Sequence, residues 1–241
     1  MPQTKTYIAN TLTILMLASG IFGVIFRNIL VYLVGAITPG YSPISGLISE
    51  LSAEGMAYEH LMNTGSLMAF GAFTIIASKA LQLRLPGRET ALSTAYMAVA
   101  GVSFIGIGLF PCPPGCDPEI ASNQMMVHAL CGFIASLSLS LSAFVYGIGF
   151  LKGNRSRIYK IALILGIIGV IAFTTLWAGI IAAEYGVNNV LYEWKGMLQR
   201  LNIAAGDLWV VIACVYTLIK RPPARAPEVF RAEQTQAGDM R

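Results

Sequence analysis

The sequence predicts an all-α integral membrane bundle of six transmembrane helices, with both termini cytoplasmic and a short interfacial or re-entrant helix after the first span. Three observations carry this. Hydrophobic residues make up 56% of the 241 and charged residues 12%, against about 25% charge in a soluble domain, so most of the surface lies out of water. Six runs, at about 10–36, 61–78, 91–110, 129–150, 161–182 and 197–219, approach or exceed the ~20 apolar residues that cross a hydrocarbon core about 30 Å thick. They are continuously apolar and lack the alternation of a membrane barrel, so helices satisfy the backbone in lipid and strands do not. Finally, 13 of the 16 Lys and Arg residues fall on one side of a six-helix trace, which makes that side cytoplasmic by the positive-inside rule.

Taken in order, the first run follows Lys5 and stays apolar for some 25 residues without a small-residue cleavage site, so it reads as an uncleaved helix rather than a secretory signal. Arg27 lies in its outer third, where it either snorkels to headgroups or pairs inside the bundle. The next segment contains YSPISGLISELSA, residues 41–53. Ser42 before Pro43 is an N-cap with proline at the first helical position. A helix from there puts Ile44, Leu47, Ile48 and Leu51 on one stripe. Ser45, Ser49 and Ser52 fall on a second stripe, and Gly46, Glu50 and Glu54 on a third. Such a helix either lies on the membrane or turns its hydroxyl row and Glu50 toward a cavity.

The connections after the second and fourth helices, LQLRLPGRET and KGNRSRIYK, are short and basic, as tight turns at a headgroup surface are. The segments on the other side, about 37–60, 111–128 and 183–196, are longer and rich in Pro, Gly, Ser, Cys, aromatic and acidic residues. If this protein has a site, it therefore opens outward. Residues 1–219 form one transmembrane domain, and the polar, proline-rich stretch 220–241 reads as a disordered cytoplasmic tail. The net charge of +4 follows from topology and calls for no nucleic-acid partner.

The sixth helix places Glu193, Gly196, Arg200, Ala204, Asp207, Val211 and Cys214 on one face. Asp207 lies about 10 Å deeper than Arg200 by helical rise and must be neutral or paired, with Arg200 or Arg27 as partner. Cys112 and Cys116 flank a Pro-Pro-Gly turn on the outward side, where a disulfide is the default. A metal set of Cys112, Cys116, Asp117 and His128 is the alternative, and no metal or other cofactor is expected. With only two histidines, a three-histidine zinc site is excluded. His128 has the intrinsic pKa of a general base, Glu50 or Asp117 can orient it, and a serine such as Ser49 can serve as nucleophile. No Gly-x-Ser-x-Gly turn accompanies them, and whether the protein is an enzyme stays open.

ISELSA in the first outer segment, LFPCPPG after the third helix, HALCG in the fourth and GMLQRL in the sixth, in this order on six helices, resemble the "domain of unknown function 998" family of prokaryotic membrane proteins. That family is distantly similar to the eukaryotic Frag1/DRAM/Sfk1 group, associated with lipid remodelling or asymmetry. Ile48, Ser49, Glu50 and Leu51 match its Ile-Ser-acid-Leu core, Phe110 and Pro111 its Phe-Pro, His128 its helix-four histidine, and Arg200 with Leu201 its Arg-Leu. The chain departs from it in having Cys112 where an acid soon follows Phe-Pro, and in Arg27. The resemblance implies a multi-pass protein of the plasma (inner) membrane that contacts membrane lipids.

The reading these features support is an outward polar pocket that binds or processes a lipid or other amphiphile. In it Arg200 meets an anionic headgroup, His128 with Glu50 moves a proton or bonds the headgroup, and Asp207 is a buried partner. Two other classes fit the same residues: a non-catalytic membrane scaffold, and a proton-coupled carrier using Asp207, although no inverted repeat or broken-helix pair supports the carrier.

Overall fold

The computed structural model describes residues 2–116, 122–154 and 156–220. Asp117 and the stretch from residue 221 onward, expected as a tail, lie outside the described residues. All the regular structure described is helical: α1 (Pro2–Ile37), a short tight helix at Ile48–Ser52, a wide-turned stretch Leu61–Met68 leading into α2 (Ala69–Arg84), α3 (Arg88–Leu109), α4 (Asn123–Leu151), α5 (Arg157–Glu184), the single turn α6 (Val190–Glu193), and α7 (Lys195–Ile219). Six of these stretches are long and apolar enough to cross a membrane.

Their ends follow local chemistry. The Ser122 hydroxyl accepts the amide of Met125 at 3.0 Å, and Asn189 Oδ1 accepts that of Tyr192 at 3.0 Å, each capping a helix start. The connection between α2 and α3 turns at Pro86 and at Gly87, whose φ of 119° no residue with a Cβ adopts cheaply.

Successive helices pack side by side, and α7 closes the ring by touching α1, α2, α4 and α5. It is the most enclosed of the six spans and supplies Trp209 and Val210 to a core with Phe70, Met97 and Leu139. Lipid is as apolar as these side chains, so burial alone does not hold such helices together; close packing and interhelical hydrogen bonds do. The bundle has both. A Cβ on Gly71 would strike the Gly101 carbonyl across the α2–α3 seam, and Cβ atoms on Gly147 and Gly166 would strike the backbones of Leu163 and Phe144 across α4–α5. Asn202 of α7 donates to Ser140 Oγ (2.8 Å) and the Gly169 carbonyl (2.9 Å), tying α7 to α4 and α5. Trp209 Nε1 donates to Ser142 Oγ at 2.9 Å, and that hydroxyl meets Ser93 of α3 at 3.1 Å.

Enlarging the seam should therefore loosen the bundle. Gly166→Leu is expected to cost ~1–3 kcal/mol by overpacking, whereas Gly132→Ala, whose new methyl meets nothing within 4 Å, should be neutral. Thermal unfolding in detergent reads both, and equal midpoints would refute the seam argument.

Candidate ligand-binding site

The site is assembled at the acid-rich end, where the segment 38–60 folds down onto the first turns of α7. A continuous helix from Pro43 does not form. Its carbonyls are already engaged: those of Pro43 and Gly46 accept from Arg200 Nη1 at 2.8 and 3.0 Å, and that of Ile44 accepts the amide of Met197 at 2.9 Å. The loop carbonyls face α7 instead of one another, and the chain makes a single turn at 42–46, closed by the Gly46 amide on the Ser42 carbonyl at 2.7 Å, and becomes helical only at Ile48. The three serines separate accordingly, with Ser45 exposed, Ser49 half-buried and Ser52 buried.

Arg200 holds this end together. Besides the two loop carbonyls, its Nη1 donates to Gly196 O (3.0 Å), and its Nη2 donates to the Tyr41 hydroxyl. Tyr41 in turn donates toward the carbonyls of Leu47 (3.1 Å) and Gly46 (3.3 Å). Burial raises the Tyr41 phenol above its ordinary pKa, outweighing the lowering influence of Arg200, so it stays protonated and able to donate. Gln199 Oε1 accepts the Ile48 amide at 2.7 Å, and Lys195 pairs with Glu50 at 3.2 Å. Gly196 permits the approach, since a Cβ there would meet the carbonyls of Gly46, Pro43 and Ile44. GMLQRL is thus the surface on which ISELSA docks.

The other side of ISELSA packs on the remaining motifs. Leu51, Ser52 and Ala53 are fully buried. The Glu54 amide donates to Cys112 O at 2.9 Å, and Asn63 donates to Ser52 O at 2.9 Å. Gln124 bridges the Glu54 carboxylate and the Pro111 carbonyl. Cys112 and Cys116 are joined as a disulfide with Cα atoms 5.0 Å apart. His128 is buried, its Nδ1 2.7 Å from the Phe110 carbonyl. A carbonyl only accepts, so Nδ1 carries a proton, and in the neutral ring the lone pair is then on Nε2.

Between α4 and α5, beneath this assembly, lies a cavity of about 130 Å³. Its walls are mostly apolar, with Leu47, Met125, Leu176 and Ile180, and its polar groups include Ser49, His128, Glu184, Tyr192, Lys195 and Gln199. Lining residues on α4 run from Met125 to Ser136, about 16 Å along the helix. The indole N–H of Trp177, also in the wall, is buried with no hydrogen-bond partner among the described residues. Glu50 lines a neighbouring open depression with Tyr41, Ser45 and Lys195, and Lys195 belongs to both.

Of the residues singled out in the sequence, the structure brings Ser49 and His128 to one cavity and sets Glu50 beside it, paired with Lys195 rather than with His128. Arg200 is not among the cavity-lining residues, and its Nη donors are taken by the loop. Arg27 is 2% exposed and pairs with Asp207, which selects the pairing inside the bundle over the headgroup alternative and leaves Arg200 out of that pair. Asn28 donates to the same Asp207 oxygen at 2.8 Å. The Arg27 guanidinium lies over Phe70 with its centre 4.0 Å from the ring centroid, a favourable environment for a cation whose Nε and Nη1 lack partners among the described residues. Lys195, Gln199 and Trp177 are cavity residues that the sequence reading passed over. Lys195 and Gln199 flank the glycine and arginine of a motif already noted, whereas Trp177 is indistinguishable from an interfacial aromatic until α4 is placed against it.

Six apolar helices with their polar motifs gathered at one end define a multi-pass helical membrane protein. Within that class, the chain belongs to the family described as "Protein of unknown function (DUF998)", which it matches over residues 9–216. No curated protein and no solved structure matches it.

Two outcomes follow from the pairings. Arg200→Ala should release the loop, raising amide hydrogen exchange across 41–50 roughly tenfold, about 1.4 kcal/mol of lost protection; unchanged exchange would show that the guanidinium is dispensable. Arg27→Met alone should destabilise the bundle by ~3–5 kcal/mol, because it strands a buried carboxylate, while Arg27→Met with Asp207→Leu should recover most of that loss. A double variant no more stable than the single one would count against a simple ion pair.

Proposed function

We propose that the protein binds a lipid or other amphiphile in the cavity between α4 and α5, at its outward end. The observation that carries the reading is the cavity's composition: a narrow apolar groove capped by polar side chains that include one cation, Lys195, and one acid, Glu184. Amphiphile sites combine apolar walls with a few placed polar groups. The volume suits a headgroup and the first methylenes of a chain, not a whole lipid, so the rest of the molecule extends into the bilayer. Lys195 attracts an anionic headgroup in the role first assigned to Arg200. The Nε2 lone pair of His128 accepts from a hydroxyl or amine. The unpartnered Trp177 N–H donates to an ester or amide oxygen, since a buried donor without a partner costs ~1–3 kcal/mol that a ligand carbonyl removes.

The same geometry favours binding over acyl transfer. Glu50 pairs with Lys195 and His128 Nδ1 with the Phe110 carbonyl, so neither contact forms the relay that a serine nucleophile needs. Arg27 and Asp207 neutralise each other between α1 and α7, which supports a structural role for that pair over a carrier's.

Mass-spectrometric lipid analysis of the detergent-purified chain tests the reading. One amphiphile class should be enriched over the bulk membrane. Gly132→Leu, which extends into the open space at Gly132, should reduce it roughly tenfold. Trp177→Phe, which keeps the ring against Phe133 (5.0 Å) and deletes the N–H, should reduce it about three- to tenfold. A lipid profile identical to bulk in the native chain and in both variants would leave the scaffold reading standing instead.

A further inference from the structure

At the rim of the cavity a second chemistry is built into the same wall. A ring nitrogen of His128 and the sulfurs of Cys112 and Cys116 all lie within 4.8 Å of one another. The thioether residues Met125 and Met56 pack against the cluster that the two cysteines form with Ala53. We infer that the reduced form of this cluster is a soft-metal site that takes Cu(I), with Cys112, Cys116 and His128 as ligands and Met125 as a weak fourth.

Four features support the assignment. The Cys-x-x-x-Cys spacing is that of metal-binding cysteine pairs, and Gly115, at φ 75°, turns the chain back so that both sulfurs meet. The histidine is prepared in the way metal-ligating imidazoles are: its Nδ1–H is held by a backbone carbonyl, which fixes the tautomer and leaves Nε2 as the nitrogen with a free lone pair. Cys116 and His128 both line the cavity, which provides an entry path. The donor set discriminates between ions. Two thiolates, one imidazole and a thioether favour Cu(I), whereas Zn(II) is almost always four-coordinate in structural sites and gains little from a thioether.

The structure holds the cysteines as a disulfide, so loading requires reduction. A partner dithiol supplies two electrons and two protons by thiol–disulfide exchange and leaves as its own disulfide. Binding of the ion then releases the two thiol protons, and the copper stays Cu(I) throughout. The site is thereby open only when the cysteines are reduced, and it stands whether or not the cavity takes an amphiphile.

The test uses the full chain in detergent, reduced with a phosphine that is then removed under anaerobic conditions. Cu(I) is titrated against bicinchoninate, and Zn(II) in a separate arm against a chromogenic chelator. One Cu(I) per chain should bind at least about a hundredfold more tightly than to the oxidised chain. His128→Ala should weaken it by ~10–100-fold, and Met125→Leu should weaken Cu(I) while leaving Zn(II) unchanged. The unmutated chain gives a readout that does not depend on a variant folding: Cu(I) should protect Cys112 and Cys116, but not Cys131, from alkylation by a maleimide. Failure of the reduced chain to take up Cu(I), preference for Zn(II), or alkylation of Cys112 and Cys116 that Cu(I) does not slow would each overturn the assignment.

Discussion

The acid-rich end of this protein depends on the guanidinium of Arg200. Three backbone carbonyls and a phenol converge on its two terminal nitrogens, and a planar, permanently charged group with several donors is the side chain suited to that task. With the Pro43 and Gly46 carbonyls turned toward α7, residues 42–46 form a turn and the loop folds inward. That turn carries Leu51 and Ala53 into full burial and brings Ser49 to the cavity and Glu50 to Lys195. The inward course of the loop centres on one arginine placed a turn inside its helix.

Deeper in the bundle a different constraint operates. Hydrocarbon offers no water to polar groups, so each must be met by another part of the protein. Arg27 and Asp207 meet one another, with Asn28 assisting and Phe70 covering the face of the guanidinium. Asn202, Trp209 and the α4 serines do the same among neutral groups. These contacts use donors and acceptors from α1, α3, α4, α5 and α7, so register between helices is set by polar pairing as well as by the glycine seams.

The cavity lies where this tight packing relaxes. Small residues of α4, Ala129 and Gly132, face α5 across a gap rather than a contact, in contrast to Gly147 and Gly166, where the two backbones nearly touch. Helices that converge at one end and part at the other leave a groove open toward the acid-rich surface. There the disulfide-bearing turn and His128 form the rim, bringing apolar, cationic and sulfur chemistry into one small volume.

Six helices were legible in the sequence because hydropathy over ~20 residues is a local quantity, and the acid-rich segments were legible as one group because loops of one sign stand out in a chain so poor in charge. The ends of the runs were less so: α5 extends to Arg157 and Glu184, beyond the apolar stretch 161–182, because helix continues through polar residues at a membrane surface. The partner of Asp207 lies 180 residues away in the chain, and no spacing rule links α1 to α7, so only packing chose Arg27 over Arg200. In the same way YSPISGLISELSA carries the local signs of a proline-started helix, in Ser42, Pro43 and the apolar stripe that follows. The chain by itself determined membrane residence, span number and which motifs share an end; tertiary structure decided which of their polar groups face each other and which face a cavity. The reason is physical: hydropathy sums over neighbours in sequence, whereas the loop carbonyls are bonded to a side chain some 150 residues further on.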